Sequence, residues 1–119
     1  MSCLFVSLDY FIKESSYMIR QKICDYLEQN KPIIDGLDTK FILDMENINY
    51  IQNMRNTSTW GGAIEIQTAC NIWNLKINVK DIRHSHSQNN NIEFIPINNS
   101  YDRSITIEWN GWHYEPVRN

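Results

Sequence analysis

The fold class predicted for this 119-residue sequence is α+β, with helices from the N-terminal half packed on a small, mainly antiparallel sheet formed by the C-terminal half. Apolar residues recur at helical spacing up to about Trp73, and from Leu75 they alternate with polar ones. A third observation is Asn110-Gly111, set between two alternating runs as a hairpin signal.

Leu4, Phe5 and Leu8 share one face of a short first helix that Phe11 and Ile12 continue. Ser15 or Ser16 caps a second helix reaching about Asn30, with Ile19, Ile23, Tyr26 and Leu27 as its buried stripe and Pro32 ending it. Residues 33–44 carry no clear period beyond a turn at Asp35-Gly36. Glu46 to Met54 reads as a short helix turning Ile48, Ile51 and Tyr50 inward. Thr59 is the expected N-cap of a helix whose apolar face is Ala63, Ile66, Ala69, Cys70 and Trp73.

The period then falls to two. Leu75, Ile77 and Val79 mark one strand, Ile92 to Ile97 a second with Pro96 at an edge or end, and Ile105, Ile107 and Trp109 a third. Asn110-Gly111 turns that strand back against a last one from Trp112 to Val117. Ser85 to Asn91 reads as a polar loop.

One domain spanning 1–119 is expected, large enough to bury a core without staples. A net charge of -3 argues against nucleic acid or an anionic membrane as partner, since both select basic surfaces. No apolar run is long enough for a membrane span. Three cysteines without C-x-x-C spacing suggest neither a disulfide framework nor zinc, which fits a reducing, intracellular compartment. Cys24 and Cys70 lie on or beside apolar helix faces and read as inert core residues. His84-x-His86 has a metal-like spacing but no cysteine or paired carboxylates nearby, so no metal and no other cofactor is expected.

The chemistry concentrates at the two ends. Cys3 heads the first helix, where the macrodipole favours a thiolate. His113 follows the tight turn on the last strand, and Glu115, two residues on, falls on the same side of that strand, placed to accept the far ring N–H. Nucleophile, base and orienter are thus all present. By residue type alone, such a cysteine is usually a small semi-buried hydrophobe, so spacing does not decide the matter.

Four segments in order decide it. Cys3-Leu4-Phe5 with Ser7-Leu8, Ile19-Arg20 through Tyr26-Leu27, Tyr50 to Met54 with Thr59-Trp60-Gly61-Gly62 through Gln67, and His113-Tyr114 with Val117 together resemble the ovarian tumour (OTU) cysteine proteases from Cys3 to Val117. The resemblance implies a papain-like OTU fold. It also implies a thiol mechanism in which Cys3 attacks the carbonyl at the C-terminus of ubiquitin or a ubiquitin-like modifier, and His113 shuttles the proton. Family members place Asp or Asn two residues after the histidine, or use an Asp elsewhere. Glu115 stands at that position here, as the candidate third member.

Trp60, Gly61 and Gly62 are candidates to line the channel for a Gly-Gly tail, or else form a buried anchor and helix start. Trp112, like Trp109, either shields the site or packs. Family members carry Asp-Gly-x before the cysteine, where this sequence has Met1 and Ser2. That segment helps build the oxyanion hole, and losing one donor costs roughly 2.7 to 4 kcal/mol of transition-state stabilisation. Two alternatives therefore stay open: a start truncated just before the catalytic cysteine, or a catalytically impaired pseudoenzyme acting as a ubiquitin-binding module. The expected setting is a monomer in the cytoplasm, the host's if the source is a virus or intracellular pathogen.

Overall fold

A computed structural model describes residues 2–83 and 90–118. Among these the chain runs α1 (Cys3–Ile12), α2 (Ser16–Glu28), α3 (Thr39–Glu46), α4 (Tyr50–Arg55), α5 (Ala63–Trp73), β1 (Leu75–Asp81), β2 (Asn91–Phe94), β3 (Arg103–Trp109) and β4 (Tyr114–Pro116). This is the α+β arrangement expected from the sequence.

Helix ends follow local chemistry. Ser15 accepts the Met18 amide to open α2, and Lys13 in the left-handed region ends α1 with its N–H on the Asp9 carbonyl. The predicted Glu46–Met54 helix is instead the end of α3, a break at Asn47, and α4. Asp38 caps α3 by accepting the Phe41 amide, and Asn47 leaves the helix with an extended backbone. Ile48 falls in that break and is 83% exposed, against the expectation that it points inward, whereas Tyr50 and Ile51 are half-buried. Thr59 does not cap α5. Its hydroxyl donates to the Asn53 carbonyl at the end of α4, and α5 starts after Gly62, whose amide donates to Glu65.

The sheet order is β2-β1-β3-β4. Both outer pairings are antiparallel, as expected, but the central β1–β3 pairing is parallel. Each connection reverses the chain, so β3 would be antiparallel to β2, yet it lies on the far side of β1. That position aligns Ile105 with Ile77 and Ile107 with Val79, all four buried. β2 is left as an edge strand of four residues, and Pro96 lies beyond its end rather than within it.

The core joins Leu4, Phe5 and Leu8 of α1, Ile19, Ile23 and Leu27 of α2, Ile66, Ala69 and Cys70 of α5, and the inward residues of β1 and β3. Removing each such side chain from water contributes about 1.5 to 3 kcal/mol. This packing sets α1 against β4, bringing the two ends of the chain together.

Candidate active site

Cys3 is the first residue of α1, half-buried, in the turn whose amides have no partner within the helix. Ser2 supplies the carbonyl for the Val6 amide at 2.8 Å, and the Ser7 hydroxyl donates to the Cys3 carbonyl at 2.8 Å. The first turn is thus held from both sides.

His113 comes from a longer turn than predicted and precedes β4 rather than lying on it. Asn110 Oδ1 accepts the amides of Trp112 and His113 at 3.1 and 2.8 Å, the Asn110 amide donates to the His113 carbonyl, and Gly111 takes φ +112°. Four residues are needed because the Asn110 side chain itself closes the turn. The ring Nε2 stands 3.3 Å from Glu115 Oε1, the contact expected from the i, i+2 spacing.

Cys3 and His113 line one cavity of about 300 Å³, with Ser7, Tyr114, Glu115 and Arg118 also on its walls. A thiol, an imidazole and a carboxylate bonded to the imidazole therefore share one solvent-open space. Glu115 occupies Nε2, which leaves Nδ1 as the ring atom free to exchange a proton with a sulfur. Burial pushes the Tyr114 phenol up, so it enters the wall as a neutral group.

The remaining sequence candidates lie elsewhere. Trp60, Gly61 and Gly62 border a separate depression of about 380 Å³ with Tyr50, Met54 and Glu65. Gly61 is pressed against α1, since a Cβ there would stand 2.7 Å from Leu4 Cδ2 and 3.0 Å from the Phe5 ring. Glu65, fully buried, accepts the Gly62 amide at 2.7 Å and the Tyr50 hydroxyl at 2.6 Å. Burial pushes the Glu65 carboxyl up, against the pull of these bonds, and pushes the Tyr50 phenol up as well.

Trp112 is 69% exposed on the His113 turn and is not on the wall of the Cys3 cavity. Trp109 packs, its ring stacked on Tyr114 and covered by the Arg83 guanidinium. Cys24 and Cys70 are buried, with thiols pushed up to about 11 and about 12 by desolvation. His84 and His86 lie outside the described residues, among which no group of three metal-ligating side chains is gathered.

Arg20 falls in one of the segments that resemble the family, but neither its burial nor a role was read from the sequence; its guanidinium is buried beside α1. The available signal was its register, since Arg20, Cys24 and Leu27 follow the i, i+4, i+7 spacing of a buried face. Sequence reasoning also missed the Tyr50–Glu65–Gly62 bonds, for which Glu65 three residues after a helix-opening glycine was the cue.

A thiol at a helix N-terminus that shares a cavity with an imidazole held by a carboxylate defines a candidate thiol hydrolase centre. Residues 2–115 match the family described as OTU-like cysteine protease, and the chain belongs to that family. It is 26% identical over 121 residues to the ubiquitin thioesterase Otu1 of Drosophila melanogaster, covering 98% of this chain and 32% of that protein. With the mouse ubiquitin thioesterase OTU1 it shares 27% over 124 residues, 98% of this chain and 33% of that one. The chain thus spans about a third of the length of these curated relatives.

Among solved structures, an OTU domain in complex with ubiquitin aligns with TM-score 0.74 at 28% identity, covering 97% of this chain and 62% of that one. An OTU deubiquitinase from Wolbachia pipientis wMel bound to ubiquitin aligns with TM-score 0.65 at 18% identity, over 99% of this chain and 90% of that one, and so shares its fold.

Proposed function

We propose that this chain is a cysteine-type deubiquitinase, cleaving the peptide or isopeptide bond at the C-terminus of ubiquitin or a ubiquitin-like modifier. The observation that carries the reading is the shared cavity of Cys3 and His113, with Glu115 on the far ring nitrogen. His113 takes the Cys3 proton, and the sulfur attacks the carbonyl carbon at the modifier's C-terminus. The amides of the first turn of α1, which have no partner within the helix, are assigned as donors for the oxyanion that forms. The C–N bond breaks as His113 returns the proton to the leaving amine, giving a thioester. Water, deprotonated by His113, then attacks that thioester, releasing the modifier's carboxylate and restoring the thiol.

The likeness to an OTU domain in complex with ubiquitin, at 28% identity, supports ubiquitin as the modifier. Trp60-Gly61-Gly62 and Trp112 are assigned to substrate contact, the first at its own depression next to α1 and the second as an exposed ring beside His113. The proposed setting is a monomer in the cytoplasm, of which only the compartment draws support, since three free cysteines fit a reducing environment. The test is hydrolysis of ubiquitin carrying a C-terminal fluorophore. Cys3→Ala should abolish turnover and leave the melting temperature within a few degrees, whereas residual turnover in that variant would refute the assignment.

A further inference from the structure

Arg20 is 1% exposed, although it carries a full charge and belongs to none of the groups that perform the proposed reaction. Its contacts converge on the segments around the nucleophile. Nη1 donates to the Met54 carbonyl at 2.8 Å, and Nη2 donates to the Thr57 carbonyl and to Ser2 Oγ, both at 3.3 Å. The guanidinium lies 4.1 Å from the centroid of the Phe5 ring. Ser2 Oγ donates in turn to the same Thr57 carbonyl at 3.2 Å. Ser2 and Phe5 bracket Cys3, and the loop that follows α4 through Thr57 leads to Gly61, which packs on Leu4 and Phe5.

One planar fork on α2 therefore reaches both sides of the first turn of α1 and the loop that backs it. A buried cation is an expensive tie, and desolvation pulls the Arg20 guanidinium below its ordinary value. For anchoring α2 alone, an apolar residue in the Ile19, Ile23 and Leu27 stripe would serve. What an apolar residue lacks is several donors in a fixed plane, able to hold a serine hydroxyl and two carbonyls in one geometry.

The geometry points to Arg20 as a positioning residue for Cys3: by clamping Ser2, Phe5, the end of α4 at Met54 and Thr57 just beyond it, it holds the sulfur in register with His113. Arg20 touches no reacting atom and acts only through the first turn of α1. The inference rests on Cys3 and His113 forming the reactive pair. Its test therefore reads their coupling without any modifier.

The rate of Cys3 alkylation by iodoacetamide is measured in the full chain and in Arg20→Met, Arg20→Lys and Ser2→Ala, each with and without His113→Ala, at a temperature where melts show every variant folded. In the parent chain, His113→Ala should slow alkylation about tenfold, and in Arg20→Met that effect should shrink to less than about threefold. Arg20→Lys, which keeps the charge and loses the fork, should resemble Arg20→Met. Ser2→Ala, which removes one hydroxyl and leaves the core untouched, should weaken the coupling in part without lowering the melting temperature. A merely structural arginine would lower the melting temperature of Arg20→Met and leave the His113 effect at its full size, and that result overturns the inference. An undiminished His113 effect in Arg20→Lys and Ser2→Ala would overturn it equally if Arg20→Met does not fold. If His113→Ala has no effect in the parent chain, the pairing of Cys3 with His113 fails first, and the inference falls with it. Failure of ubiquitin cleavage alone would leave all of these rates readable.

Discussion

Gly61 offers a quantitative test of how tightly α1, which carries the proposed nucleophile, is built into the domain. A Cβ added there would stand 2.7 Å from Leu4 Cδ2 and 3.0 Å from two atoms of the Phe5 ring. Carbon atoms pack best at about 3.5 to 4.0 Å, so Leu4 must retreat by roughly 0.8 Å or the loop must lift. Neither is easy, because Leu4 and Phe5 are buried in the core and the Arg20 guanidinium lies on the Phe5 ring. Overpacking of this kind costs about 1 to 3 kcal/mol, less about 0.5 kcal/mol regained because alanine restricts the unfolded chain. For a domain of this size, Gly61→Ala should lower the melting temperature by roughly 3 to 12 °C. Gly62→Ala is the control. Its added carbon would meet nothing closer than 4.0 Å, and its φ of -148° suits any residue, so the loss should stay below about 1 kcal/mol. The assay is circular-dichroism melting of both variants, followed by turnover per active site. The reasoning is refuted if Gly61→Ala melts with the wild type, or if Gly62→Ala is the more damaged of the two.

Three further outcomes are expected. At pH 8 Ellman's reagent should modify one thiol per native chain, and none in Cys3→Ala, because burial keeps Cys24 and Cys70 near 11 and 12; rapid reaction of two or three thiols would contradict the core placement. Glu115→Ala should lower kcat about 5- to 50-fold, with Glu115→Asp partly restoring it, through loss of the 3.3 Å contact to His113 Nε2; unchanged kcat would remove Glu115 from the site. The Glu65 carboxyl is raised in the folded state, so the fold binds its proton more tightly than the unfolded chain does, and stability is lost as pH rises above the ordinary value of 4.5. Melting curves of wild type and Glu65→Gln should therefore diverge as pH rises above 4.5, with wild type falling relative to the variant, and a flat difference would contradict this.

What the sequence revealed depended on how locally each feature is determined. The stripe of α2 and the alternation in β1 and β3 are short-range patterns that appear where their spacing placed them, and of the two serines offered as the α2 cap the structure uses Ser15. α3 was hidden because Phe41 and Met45, two of its four large apolar residues, are exposed, while a polar residue, Thr39, is buried with Leu43. The parallel β1–β3 pairing depends on which side of β1 the chain returns to, a choice made by core packing and not by either strand's own residues. At the site, the Glu115–His113 contact followed from a two-residue spacing, and the cavity shared by Cys3 and His113 was reached through family resemblance across the whole chain. The role of Arg20 was not legible, since its partners Ser2 and the Met54–Thr57 stretch lie far from it in the sequence.

The central claim, that Cys3 is a nucleophile paired with His113 in a ubiquitin-shaped site, is most directly tested by intact mass after incubation with ubiquitin bearing a C-terminal propargylamide. The wild-type chain should form a single covalent adduct, absent in Cys3→Ala and strongly slowed in His113→Ala. No adduct on the wild-type chain, or one that persists in Cys3→Ala, would contradict it.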